Sequence, residues 1–189
     1  SPITGYKVFK SPGGAQVCSN VITPPAIAPA TNCTVTGLTN GSSYTFTVKA
    51  TNIVGDSAAS SPSAVFVPRT APTAPLNVVG TPGDQSITVS WDRPANDGGS
   101  AITSYTVNQA GAGQVCSVVP APPAAEPVTS CVVSGLTNGT NYAFTVRAVN
   151  AAGTSQSSGL STPVAPRTVA LAPTAVTDTA RNASASVSW

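Results

Sequence analysis

Apolar and polar residues alternate with a period of two along several short stretches of this chain, and no stretch carries the three-to-four spacing of an amphipathic helix. In "SITVSW", Ile87, Val89 and Trp91 share one face while Thr88 and Ser90 take the other. "SYTVNQ" sets Tyr105 and Val107 on one side. The longest run is "YAFTVRAVN", where Tyr142, Phe144, Val146 and Ala148 alternate with Ala143, Thr145, Arg147 and Val149. Each run predicts a strand with one buried face. Turn-forming residues separate the runs, in "TPGD", "RPANDGGS", "AGAG", "LTNG" and "NAAG".

The pattern is written twice. "CTVTGLTNGSSYTFTVKATNIVG" from Cys33 recurs as "CVVSGLTNGTNYAFTVRAVNAAG" from Cys131, 98 residues on. Tyr44, Phe46, Val48 and Ala50 thus repeat the alternation against Thr45, Thr47, Lys49 and Thr51. "QVCS" at Gln16 and Gln114, and "PRT" at Pro68 and Pro166, keep the same interval. "SPITGYKV" at Ser1 answers "SAITSYTV" at Ser100 with a one-residue offset, and "ASASVSW" ending at Trp189 answers "DQSITVSW" ending at Trp91. A period of this size is that of a domain, not of a solenoid unit. Several short, half-buried strands per period predict an all-β fold of antiparallel sandwiches.

Pro75 in "APLNV", Trp91, Tyr105, and Leu136 six positions before Tyr142, followed by "AVNAAG", stand in a recognisable order. Tyr6, Leu38, Tyr44 and "ATNIVG" repeat it. In these residues the chain resembles tandem fibronectin type III domains of the bacterial secreted or cell-surface type, over essentially its whole length. The resemblance implies immunoglobulin-like sandwiches whose core holds Tyr6, Leu38, Tyr44, Trp91, Tyr105, Leu136, Tyr142 and Trp189. In family lettering, strands A and B fall at 74–92, C at 102–109, C′ at 113–119, E at 130–135, F at 141–150 and G at 160–167. Residues 71–168 are then a complete domain, 1–70 a domain lacking A and B, and 169–189 the A and B strands of a further one.

That register raises the question of what completes the first domain. The six residues "TVALAP" span about 20 Å fully stretched, short of the roughly 25 Å of an eight-residue strand along which the tail must double back. Self-completion is therefore not expected. Two readings stay open: a window of a longer array, or a tail that completes a neighbouring chain. Eight residues separate Trp91 from Ser100, and a similar loop between Trp189 and a following Ser1 would make the chain close to two full periods of a polymer.

Composition narrows the partners. Charged residues are 7% of the chain and the formal net charge is +2, with no run of Lys or Arg. Nucleic acid and anionic membranes need a clustered basic face, so neither is an expected partner. No apolar run approaches the roughly 20 residues of a membrane span.

Cys18 and Cys33, like Cys116 and Cys131, lie 15 positions apart. The repeated spacing favours one disulfide inside each repeat, with metal ligation and free thiols as the alternatives. There is no His and no Cys-x-x-Cys for zinc. Disulfides imply an oxidising compartment. The cysteine pairs are also a departure from the animal-type domain of the family. Each pair encloses a proline-rich loop, "CSNVITPPAIAPATNC" or "CSVVPAPPAAEPVTSC", readable either as a staple for a small core or as a stiff lateral contact surface.

Reactive chemistry has little to stand on. Without His there is no Ser-His-Asp triad, and Asp56, Asp84, Asp92, Asp97, Glu126 and Asp178 lie scattered in turns and loops. No glycine-rich phosphate loop precedes a helix. Asp92, Asn96 and Asp97 offer too few oxygens for calcium and suit a plain turn. Sequons begin at Asn32, Asn40, Asn138 and Asn182; turn chemistry accounts for them as well as glycosylation does. No catalytic residue, cofactor or metal is expected.

The expectation is a non-catalytic extracellular structural repeat protein, forming a rod, stalk or filament on or outside a prokaryotic cell. The alternatives are spacer modules of a large secreted polysaccharide-degrading enzyme, or a ligand-binding adhesin ectodomain. Expected partners are copies of the chain itself, through head-to-tail, strand-completing or lateral contacts, and cell-surface or matrix polysaccharide.

Overall fold

The computed structural model describes residues 1–22, 28–120, 126–168, 170, 172 and 174–188, none of them helical. In chain order the strands are β1 Gly5–Ser11, β2 Gln16–Val21, β3 Thr45–Thr51, β4 Leu76–Gly83, β5 Ser86–Asp92, β6 Ile102–Gln109, β7 Gly113–Val118, β8 Ser130–Ser134, β9 Phe144–Asn150, β10 Gly153–Thr154, β11 Thr177–Arg181 and β12 Ser184–Ser188.

Residues 71–168, called here the middle module, form two antiparallel sheets ordered β4-β5-β8 and β10-β9-β6-β7. The alternating residues face each other between them. Ile87 and Val89 of β5, Val107 of β6, and Phe144, Val146 and Ala148 of β9 have no exposed surface, and Trp91 and Tyr105 retain almost none. Trp91 meets Tyr105 edge to face, ring centroids 5.3 Å apart. Leu136 closes the core, and the half-buried Tyr142 packs against it. The Thr137 amide donates to the Tyr142 hydroxyl, as the Thr39 amide does to Tyr44. Trp189 lies outside the described residues.

Cys116 bonds to Cys131, and Cys18 to Cys33. In the middle module this bridge joins β7 of one sheet to β8 of the other. Closing a 15-residue loop stabilises by about 3 kcal/mol through unfolded-state entropy. Reducing the chain should lower the middle module's urea-unfolding free energy by about that much. The loop tips at 23–27 and 121–125, part of the expected lateral surface, lie outside the described residues.

Residues 1–70, the first module, contribute a single sheet ordered β2-β1-β3. Its would-be core face is far more open. Tyr6, Leu38 and Phe46 are half-buried and Val48 is exposed, with Tyr44 the one large apolar residue buried there among those described. Residues 32–36 form no strand, although their counterpart is β8. The reason is pairing: β8 is held by β5, Ile87 opposite Val133, and no described strand of residues 1–70 plays the part of β5. In the tail, β11 and β12 pair only with each other and are exposed throughout.

The expected G strand at 160–167 is corrected. Of that stretch, only Val164 makes a bridge, to Tyr142. Serines hold the edge of β9 instead. Ser155, Ser158 and Ser161 each donate their amide to the carbonyl of Ala148, Val146 and Phe144 in turn. Each hydroxyl then accepts the amide of that same residue at 2.9–3.0 Å. Ser57, Ser60 and Ser63 do the same for Ala50, Val48 and Phe46. A three-residue serine period has replaced the two-residue alternation of a strand. Ser158→Ala would orphan the buried Val146 amide, so a loss of about 2 kcal/mol is expected, measurable by urea denaturation.

Candidate functional site at the module joint

The joint between the first and middle modules is closely built, by backbone and side-chain hydrogen bonds and by backbone contact. Its linker, Pro68 to Thr73, is fastened from both sides. The Gly41 amide, in the turn before β3, donates to the Pro68 carbonyl at 2.9 Å. From the middle module, the Gly98 carbonyl accepts the Thr70 amide at 3.0 Å. Thr73 and Asn96 bond reciprocally through their main chains and the Thr73 hydroxyl.

Asn150, at the end of β9 and 4% exposed, is the centre of this arrangement. Its Nδ2 donates to the Thr70 carbonyl at 2.8 Å and the Asp97 carbonyl at 2.6 Å. Its Oδ1 accepts the amides of Ala152 and Gly153. One side chain thus ties the linker, the loop after β5 and the turn after β9 together. Its twin Asn52 makes the same two caps, to Val54 and Gly55, and borders an open depression with Ile3 and Asp56.

Two glycines carry the contact between modules. Gly41 and Gly99 both have φ of +79°, a conformation that glycine adopts without a Cβ penalty. Their backbones touch: a Cβ built on Gly41 would lie 3.1 Å from the Gly99 Cα, and one built on Gly99 would collide with the Gly41 nitrogen. Gly98 is buried, and a Cβ there would strike the Thr70 carbonyl oxygen. The loop around them is shaped by its own side chains. Asn96 Oδ1 accepts the Gly98 amide and Asp97 Oδ1 the Gly99 amide. Asp92 Oδ2 accepts from Asn77. "DRPANDGGS" is therefore a turn, as its residues predict, and also a clamp, which its residues do not announce.

Charge adds little here. Arg93 pairs with Glu126 on the rim, both well exposed, and such pairs contribute little. Lys7 donates to the Asp56 carboxylate, which this bond and one from Thr51 hold below the usual carboxylate range; both residues are at the surface. The hydrogen bond from Thr39 lowers the Tyr44 phenol, whereas burial raises that of Tyr105. Arg93 and Glu126 border one open depression beside the loop after β5, together with Asp97. Among the described residues no three His, Cys, Asp or Glu side chains group to hold a metal. Of the sequon residues, Asn138 has its side chain occupied, donating to Asp84 and accepting the Gln85 amide.

Comparison with known proteins agrees with this architecture. The family model described as fibronectin type III domain matches residues 1–66 and 70–164. Chitinase A1 of Niallia circulans is 36% identical over 160 residues, spanning 80% of this chain and 20% of its own length. Endoglucanase B of Cellulomonas fimi is 31% identical over 170 residues, 86% of this chain and 15% of the enzyme. Human myomesin-2 is 35% identical over 172 residues, 87% of this chain and 11% of that protein. The chain thus spans a fifth or less of each of these relatives. Domains A168–A170 of titin share the fold, with a TM-score of 0.50 and 21% identity over 87% of this chain and 60% of that one. Domains of this type are non-catalytic modules. Two packed antiparallel sheets, a tyrosine hydroxyl bonded to the turn before it, and a family match across both repeats identify the chain as a member of the fibronectin type III family.

Proposed function

We propose that this chain is a structural stretch of an extracellular rod, stalk or filament on or outside a prokaryotic cell, in which sandwich modules are stacked with fixed angles. The observation that supports this most is the joint. A linker with hydrogen bonds to both neighbours, and glycine backbones in direct contact, resists swinging in a way that a glycine- and serine-rich tether does not. The disulfides fit an oxidising exterior. Surface faces rich in Thr and Ser lose little side-chain entropy when they pack laterally, which suits contacts with copies of the same chain or with matrix polysaccharide.

The spacer reading is favoured by a separate observation: chitinase A1 and endoglucanase B contain a matching segment as a small part of a longer polypeptide. A spacer also gains from a stiff joint, so stiffness alone does not divide the two. Electron microscopy of the native material does. Ordered fibres with an axial repeat of one or two modules support the filament. Single particles carrying a separate catalytic lobe on the same polypeptide overturn it in favour of the spacer.

A further inference from the structure

The contact at Gly41 has a counterpart that is open. Gly139, 98 residues later, has the same backbone, φ +81° against +79°. Its amide donates to the Pro166 carbonyl at 2.9 Å, as that of Gly41 does to Pro68. Yet where Gly41 abuts Gly99, no atom lies within 4 Å of a Cβ built on Gly139, among the described residues. Instead there is a depression of about 620 Å³, bordered by Pro82, Asn138, Gly139, Val164, Pro166 and Thr168.

Resting on the stacked-module reading, we infer that this pole is a socket for the Gly-Gly loop of a following module, which docks by backbone against Gly139. The occupant is set by the joint already formed. Gly99 is the residue seated one period earlier on the equivalent turn, with Gly98 beside it against the linker at Thr70, and a side chain at either glycine meets backbone. The socket is also firmer than its predecessor. Asp84 and Gln85 hold the Asn138 side chain, and the Gly83 carbonyl accepts the Arg167 amide at 2.9 Å. The turn is thus shaped before anything docks. Specificity follows from sterics: the socket takes a loop with two adjacent glycines and rejects one with a side chain at the second.

The test replaces the tail after Thr168 with a second copy of residues 71–168, the module whose core is complete. Spin labels at Ser117 and at Thr88 of the added copy report the new joint. Labels at Ser19 and Thr88 of the parent chain report the existing one, since each pair occupies equivalent exposed positions. Pulsed-EPR distance distributions of the same centre and width at both joints are expected. Gly139→Asn retains the turn, because asparagine tolerates positive φ, but fills the socket; it should at least double the width at the new joint alone. Gly99→Asn in the added copy should do the same from the other side. A new joint that is broad while the existing one is narrow, or that ignores Gly139→Asn, overturns the socket. A broad distribution at the existing joint would instead overturn the stiff-rod reading beneath it.

Discussion

Replacing Asn150 with alanine is expected to lower the stability of the middle module by about 4 kcal/mol and to loosen the first module against it. The side chain makes four hydrogen bonds, two donated to Thr70 and Asp97 and two accepted from Ala152 and Gly153. At 4% exposure, little water can substitute for them. Each such bond is worth about 1 kcal/mol net, and more where a buried partner is left unpaired. Asn150→Asp should be no gentler, since it keeps the acceptor but turns an oxygen toward two carbonyls. The internal control is Asn52→Ala, which removes only the caps to Val54 and Gly55 and should cost about 1–2 kcal/mol. Urea unfolding followed through Trp91 emission, in a Trp189→Phe background, measures the first effect. The width of the Ser19–Thr88 distance measures the second. Equal losses for Asn150→Ala and Asn52→Ala would mean that the bonds to the linker carry no weight.

Asn150 also shows where the sequence stops being readable. Alternation identified the strands that bury one face, because an inward Val89 or Phe144 is chosen by a sheet lying opposite and the period of two records it. The cysteine pairing was legible for a different reason, since equal spacing in both repeats points to one local link per module. The segment 155–161 along the edge of β9 was not legible. Its contacts with β9 run through Ser155, Ser158 and Ser161, and polar residues at intervals of three imitate a loop. Only their recurrence as Ser57, Ser60 and Ser63 betrays them. The joint was the least visible. Gly98 and Gly99 have the residue types of an ordinary turn, and Gly41 meets Gly99 from 58 residues away. What distinguishes them is what they face, which local pattern does not encode. The absence of a strand at 32–36 has the same origin: "CTVTG" is similar to its twin "CVVSG", but strand formation needs a partner as well as a propensity.

Partnering also sets the second large effect. Phe144→Ala should destabilise the middle module by about 4 kcal/mol, the usual range for emptying a buried aromatic site. Phe144 has no exposed surface and sits at the start of β9, opposite Gln109 of β6, with its amide on the Ser161 hydroxyl. Packed sheets on either side leave little room for collapse into the cavity. Phe46 is the same residue in the same motif, with its amide on the Ser63 hydroxyl, but it is only half-buried on a sheet that none of the described strands covers. Phe46→Ala should therefore cost about 1–2 kcal/mol, the value of the apolar area it hides. The two substitutions share their chemistry and closely similar local sequences, so the ratio of their effects reports mainly what the opposing sheet contributes. Separate urea-unfolding curves for each variant give that ratio directly. A Phe46→Ala loss as large as that of Phe144→Ala would show that the first module has a closed core of its own, and that β1, β2 and β3 need no second sheet to hold it.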